Sequence, residues 1–410
     1  MVRAVCSCSV IITGLLLCSL ATAAGELPPS NGAVIPIAGA AVSARSQPEA
    51  DGTTPLWHYG AYVDLSYAID FNFPQNHLWR SKGTSVRVNE LAPNVGLVYV
   101  RKDATEGSRW GMEFGLQGGY DTQGQVPPTR PEIDRPIDGA DTFRHLSRAN
   151  ISYLAPVGTG LTITAGLFNS FIGYDSFYAK DNHTYTRAYI ADYSPYFMMG
   201  LSAQYRIDEK LKTTFYIING YNYLSKPNDQ PSYGAQVVWS PSARLTVTQN
   251  LYVGPEQFKA DIEYWRIFSD SIIEYKFQTV TLALAYDIGT ERISQPIGAP
   301  RTFWTGGMAV ARWQFAPQWA VALRPEFYWD RTGQLTGAEQ LIKAVTSTVE
   351  YKLPYRCTQT VVRLEYRYDE STGSGGGFFK NGEISPGVVG LTSGQHLLIA
   401  ALLWSFDSSH

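Results

Sequence analysis

Three things are scarce in this sequence, and each scarcity removes a class of protein. Cysteine comes first: of four in the chain, Cys6, Cys8 and Cys18 crowd the extreme N-terminus, leaving Cys357 alone in the body. Neither a disulfide framework nor a cysteine-based zinc site can be built from one thiol. Charge is second. Only 17% of residues are Asp, Glu, Lys or Arg, with a net charge of −3. No basic stripe or patch stands out, so nucleic acid is not expected as a partner. Third, no apolar run approaches the ~20 residues of a membrane-spanning helix. Disorder is no better a fit, because 26 Tyr, 10 Trp and 18 Phe make the chain aromatic throughout.

Catalytic patterns are missing too. The six histidines (His58, His77, His145, His183, His396 and His410) are scattered, with no His-Glu-x-x-His spacing. There is no Gly-x-Ser-x-Gly elbow. Gly373 to Gly377 lacks the Lys-Ser/Thr ending of a phosphate loop. Neither an enzyme nor a bound cofactor is expected.

What is present begins with an export signal. Arg3 supplies a weak basic region, Val10 to Leu20 an apolar core, and Ala21-Thr22-Ala23 a small-residue cleavage site, so residues 1–23 read as a signal peptide. The alternative is a lipoprotein signal at Leu15-Leu16-Leu17-Cys18, but Leu17 stands where a small residue is needed. Residues 24–56, rich in Pro, Ala, Gly and Ser, read as a flexible periplasmic lead-in.

From Trp57 the pattern changes to period two. Tyr59, Ala61, Val63, Leu65, Tyr67 and Ile69 alternate with Gly60, Tyr62, Asp64, Ser66, Ala68 and Asp70. In a strand these sets lie on opposite faces. Late in the chain Trp319, Val321, Leu323, Phe327 and Trp329 oppose Arg324, Glu326 and Asp330. Val362, Leu364, Tyr366 and Tyr368 oppose Arg363, Glu365, Arg367 and Asp369. A soluble sandwich would bury the first set; a membrane barrel would turn it to lipid and the second set to an aqueous lumen. Alternation alone does not separate the two.

Connection lengths do. The pattern predicts about sixteen strands: 57–72, 86–101, 109–121, 143–156, 161–169, 195–206, 211–222, 232–240, 245–254, 264–275, 280–289, 303–315, 319–330, 341–352, 359–369 and 395–406. Even-numbered links are tight, such as 157–160, 208–210, 241–244 and 316–318. Odd-numbered ones are long, such as 122–142, 170–194, 290–302 and 370–394. In an up-and-down barrel every other turn lies on one rim, so short periplasmic turns and long external loops produce this rhythm. A Greek-key sandwich has no reason to show it. The expected fold is an all-β transmembrane antiparallel up-and-down β-barrel of about 16 strands over 57–406, followed by a short tail at 407–410. Sixteen strands leave room for a water-filled channel.

The order of several short motifs resembles the OmpL-like β-barrel porins of Gram-negative outer membranes. Tyr153-Leu154-Ala155-Pro156, then Gly158, Gly160 and Leu161-Thr162, lead into Gly166-Leu167-Phe168-Asn169-Ser170-Phe171-Ile172-Gly173-Tyr174-Asp175. Asn182-His183-Thr184-Tyr185-Thr186-Arg187 follows, and later Gly254-Pro255-Glu256-Gln257 and Leu364-Glu365-Tyr366-Arg367. The resemblance spans 59–406 and departs from the family pattern at Leu167 (for Lys), Phe171 (for Pro) and Asp175 (for Glu). It implies an outer-membrane porin for small hydrophilic solutes and ions, surrounded by outer-membrane lipid.

In a wide pore, selection comes from opposed wall charges and a loop that narrows the lumen. By parity the wall charges are Asp64, Arg148, Arg206, Arg324, Glu326, Arg363, Glu365, Arg367 and Asp369. Both signs occur, so strong ion selectivity is not expected. The third external loop, 170–194, is expected to form the constriction and carries the candidates Asp175, Lys180, Asp181, His183 and Arg187, of which Asp175 and Arg187 are the best-motivated pair of solute-filtering residues. A homotrimer is expected by analogy of fold alone. Two other classes compete: a barrel with a blocked lumen whose external loops bind a partner, and a soluble all-β secreted protein.

Overall fold

An alternating strand is two-faced, and a sheet of such strands must hide one face. In the computed structural model the chain does so by closing on itself. The structure describes residues 57–408 apart from 124–143, 222, 225, 227, 295–297, 355–357 and 386. The expected signal peptide and the 24–56 lead-in lie outside the described residues.

The strands are β1 (Trp57–Asp70), β2 (Leu91–Lys102), β3 (Trp110–Gly118), β4 (Leu146–Ala155), β5 (Leu161–Asn169), β6 (Phe197–Arg206), β7 (Leu211–Ile218), β8 (Ser232–Ser242), β9 (Leu245–Gly254), β10 (Arg266–Phe277), β11 (Val280–Arg292), β12 (Arg301–Trp313), β13 (Trp319–Asp330), β14 (Gln340–Pro354), β15 (Thr358–Thr372), β16 (Phe378–Ser385), β17 (Val388–Thr392) and β18 (Gly394–Asp407). Each of β1 to β15 pairs antiparallel with its neighbour in sequence, and β18 closes the ring between β15 and β1. The sixteen-strand closed barrel is therefore as expected, with several ends moved. β2 starts at Leu91 rather than 86, because 86–90 belongs to the preceding loop. The 370–394 connection carries its own hairpin, β16–β17, instead of being wholly irregular.

Burial decides between sandwich and membrane barrel. Along β15, Leu364 is 51% exposed while its neighbour Glu365 is fully buried. Trp57, Tyr59, Phe114, Ile151, Phe215, Leu284 and Trp329 face outward in the same way. A soluble protein does not expose so continuous an apolar belt, whereas a barrel in lipid requires one. Aromatic pairs mark both rims of the belt: Trp57–Trp110 and Trp319–Tyr351 at the short-turn rim, Phe303–Trp329 at the long-loop rim. Such rings suit the membrane–water boundary.

Two irregularities position the lumen's contents. Gly166 on β5 and Gly200 on β6 are direct register partners, and both have positive φ, +120° and +156°. A Cβ on either would lie 2.2 Å from a neighbouring carbonyl oxygen, of Ala149 or Ile217. Only glycine fits there, and beyond the pair the alternation slips, so that Leu167 and Phe168 are both buried. The second irregularity is the first long loop. Phe73, His77, Ser81, Ser85 and Asn89, every fourth residue, adopt left-handed φ between +47° and +63°. Surrounding contacts must hold so many sparsely populated conformations in place.

Candidate functional site

Segment 170–194 leaves the β5–β6 hairpin at the glycine pair and lies inside the barrel wall. Its neighbours can be followed strand by strand. Phe171 stacks on Tyr216 of β7 at 4.1 Å, and the Phe171 carbonyl accepts from Gln236 of β8. The Gly173 N–H donates to Asp270 and the Tyr174 hydroxyl to Glu274, both on β10 and both at 2.7 Å. Asp175 reaches Arg324 of β13 at 3.4 Å. Ser176 and Asn182 then bond each other reciprocally, at 2.7 and 2.8 Å, and pinch the segment into a closed turn. Arg363 of β15 donates to the carbonyls of Ala179, Asn182 and Thr184 across that turn. On the return, the Tyr185 and Thr186 N–H groups donate to Glu365 at 2.6 and 3.0 Å. The Tyr185 hydroxyl meets Asp64 of β1 and Asn94 of β2, and the Tyr189 N–H meets Glu326 of β13.

Apolar packing supports these bonds. The lumen side of β18, β1 and β2 is unusually apolar for a pore, with Leu397, Ile399, Leu403, Tyr62 and Leu97 buried there, and Phe177, Tyr178 and Tyr185 pack onto it. A fully buried large side chain contributes about 1.5–3 kcal/mol, so three aromatics contribute on the order of 5–9 kcal/mol to holding the segment to this wall.

The five constriction candidates fall into two groups. Asp175, His183 and Arg187 are buried; Lys180 and Asp181 stay partly exposed and pair with each other at 2.8 Å. The two best-motivated candidates, Asp175 and Arg187, take different partners. Arg187 pairs with Asp121 at 3.4 Å and Asp64 at 4.0 Å, and its Nε donates to the Phe177 carbonyl. The reason is that the turn closed by Ser176 and Asn182 points the two side chains at different walls. Burial alone would favour a neutral Arg187, but Asp121 and then Asp64 outweigh it and hold the guanidinium charged, its pKa raised. Burial pushes the Asp175 carboxyl up, with Arg324 opposing. Burial, and then the charge of Arg312, pushes His183 down to about 4.

Of the nine wall charges, seven are sealed from water: Asp64, Arg324, Glu326, Arg363, Glu365, Arg367 and Asp369. They anchor the segment or pair along the wall, as Arg367 does with Glu326 at 2.7 Å and Asp369 at 2.8 Å. Arg148, 3.9 Å from Glu113, is partly exposed and Arg206 is exposed.

Several participants escape sequence reasoning. Lys82, in the first long loop, donates to the Arg187 carbonyl and pairs closely with Asp192. Lys82 and Arg367 both lie over the rings of Trp79 and Tyr189, at 4.9–5.5 Å. Asp121 lies in a short 3-10 turn, Tyr120–Gln123, where burial pushes its carboxyl up to about 7 against the pull of Arg187. No periodicity marks Lys82, Trp79 or Asp121. Asp270, Glu274 and Glu350, by contrast, sit at lumen-facing positions that alternation would have identified.

The family model described as "Putative beta-barrel porin-2, OmpL-like" matches residues 57–406. Among solved structures, OmpT of Vibrio cholerae in its trimer form is similar at 11% identity and TM-score 0.50, covering 85% of this chain and 98% of that one. An anion-selective porin from Comamonas acidovorans follows at 12% identity and TM-score 0.49, covering 85% and 99%. OmpF of Salmonella typhi in complex with daunomycin has 13% identity and TM-score 0.49, covering 85% and 97%. At these identities the likeness concerns the fold alone. No curated protein matches.

Proposed function

Because the chain belongs to the OmpL-like β-barrel porin family, we propose that it forms an aqueous channel for passive diffusion of small hydrophilic solutes and ions, narrowed by segment 170–194. One observation carries this reading: the segment's bonds run to Asp270 and Glu274 on β10, Glu326 on β13, Glu365 on β15 and Asp64 on β1. Tied on so many sides, it reduces the open cross-section for as long as the barrel is folded. Part of the remaining water path runs along β4–β6. There the lumen-facing Asn150, Ser152, Thr162, Thr164, Ser202 and Gln204 are short, polar and only half-buried. A lining of small neutral hydrogen-bonding groups lets solutes pass without holding them. No catalytic step belongs to this reading. Export by residues 1–23, a homotrimeric assembly and outer-membrane lipid around the apolar belt complete it.

Deleting 176–190 tests the narrowing. Single-channel conductance of the folded variant should rise, and an unchanged conductance removes the segment from the constriction. A second reading, a blocked barrel whose external loops bind a partner, is favoured by the complete burial of Tyr185, Arg187, Ala188 and Tyr189. Liposome swelling separates the two: a folded barrel that admits no small sugar is the blocked one.

A further inference from the structure

With seven of the nine parity-derived wall charges sealed in, the charges that water meets are the remaining Arg148 and Arg206 together with lysines outside that set. They lie toward the short-turn rim. Facing the lumen there are Arg148 on β4, Arg206 on β6, Lys212 on β7, Lys276 on β10 and Lys352 on β14, with the buried Arg312 on β12 and Arg363 on β15 behind them. The carboxylates on the same stretch of β3 to β15 are Glu113, Glu274 and Glu350.

The arrangement concentrates this imbalance. Glu350 is shared by three cations, Arg363 at 2.6 Å, Arg312 at 3.1 Å and Lys352 at 3.5 Å. Register sets Lys276 beside Thr281 and Thr281 beside Arg312, so the basic side chains continue from β10 to β14. On the facing wall Arg206 and Lys212 are direct cross-strand partners of like charge. The Lys276 side chain is 43% exposed and pairs with Glu274 at 2.8 Å. Elsewhere on this rim charges nearly cancel: Lys180 pairs with Asp181 and Arg101 with Asp103, while Asp407 on β18 hydrogen-bonds the Tyr99 hydroxyl. The acids of the anchoring network, Asp64, Asp175, Glu326, Glu365 and Asp369, are shielded from permeating ions by the segment they hold.

A pore lined by accessible charges of one sign, within a Debye length of the permeating ion, enriches the opposite ion. Resting on the diffusion-channel reading, we infer that the channel prefers anions and that the solutes it serves best are small anionic ones. Arg206, Lys212, Lys276 and Lys352 set this preference.

The test is the reversal potential of the purified, folded full chain in a planar bilayer under a KCl gradient. Chloride should permeate more readily than potassium. Each of Lys276→Gln, Lys352→Gln and Arg206→Gln should lower the chloride-to-potassium ratio about two-fold, the change a unit charge ~8 Å away gives in water when screened over one Debye length. Arg206→Lys should preserve the ratio. The effects should shrink in 1 M salt, where the Debye length falls to about 3 Å. A wild-type preference for potassium, or a ratio unmoved by all three neutralisations, overturns the inference and leaves the diffusion channel standing. A folded barrel without conductance overturns the diffusion-channel reading and the anion preference with it.

Discussion

Glu365 is where one substitution should release the constricting segment without harming the wall. Its carboxylate takes four donors. The Tyr185 N–H and the Thr348 hydroxyl, both at 2.6 Å, share one oxygen; the Thr186 N–H at 3.0 Å and the Thr186 hydroxyl share the other. In Glu365→Gln one oxygen becomes an NH2 group, and whichever way the amide turns it opposes one backbone N–H of the segment, Tyr185 or Thr186, while the Thr hydroxyl beside it can reverse and accept. One hydrogen bond from the segment is lost. A bond to a charged group contributes about 1.5–3 kcal/mol, so docking of the 184–187 stretch weakens by about that amount. Excursions of the segment should become about 10- to 10²-fold more populated. In single-channel records this appears as flicker between the wild-type level and a larger conductance. In hydrogen exchange it appears as lost protection at the Tyr185 and Thr186 amides. The β14–β15 ladder does not involve this carboxylate, so the variant should remain a folded barrel. Wild-type current noise together with unchanged protection at both amides would refute the claim that Glu365 anchors the segment.

Other expectations follow from the same geometry. Gly166→Val places a Cβ 2.2 Å from the Ala149 carbonyl at a φ of +120°; the β5–β6 hairpin cannot make its inward bend, and the yield of heat-modifiable folded barrel on gels should collapse. Trp79→Ala removes the ring shared by Lys82 and Arg367. At about 0.5–2 kcal/mol per cation–π contact, it should loosen the first long loop, read as faster proteolysis within 71–90 at unchanged barrel stability. Docking should also carry two opposing pH dependences. His183, with its pKa depressed to about 4, is neutral when docked and protonated when free between about 4 and 6.5, so it strengthens docking as pH rises through that window. Asp121, raised to about 7, keeps its proton when docked and loses it when free above about 4, so it weakens docking as pH rises toward 7. In the wild type the two oppose each other. His183→Asn should unmask the Asp121 dependence: protection of 183–188 from exchange should fall as pH rises from 4 to 7. A flat profile in that variant would remove Asp121 from the docking balance.

The wall of this protein was legible in the sequence because its information is local. A residue's face depends only on parity within its own strand, and whether a link is short or long depends only on counting. Strand number, closure, the outward apolar belt and the identity of 170–194 as the third long loop all follow from those two readings. What tertiary structure alone decided is who meets whom inside. The Tyr185 N–H and Glu365 are 180 positions apart, and they meet only because β15 lies two places from β1 around the closed ring. Arg187 turned to Asp121 and Asp64, and Asp175 to Arg324, because a local turn aimed them at different walls. Lys82 and Trp79 joined from a loop whose left-handed residues carry no periodic signal. The same closure reversed the meaning of the wall charges. Those that parity marked most clearly became buried anchors, and the less conspicuous Lys212, Lys276 and Lys352 were left facing the lumen. Alternation assigns a side chain to the lumen, but whether water reaches it depends on what else the lumen holds.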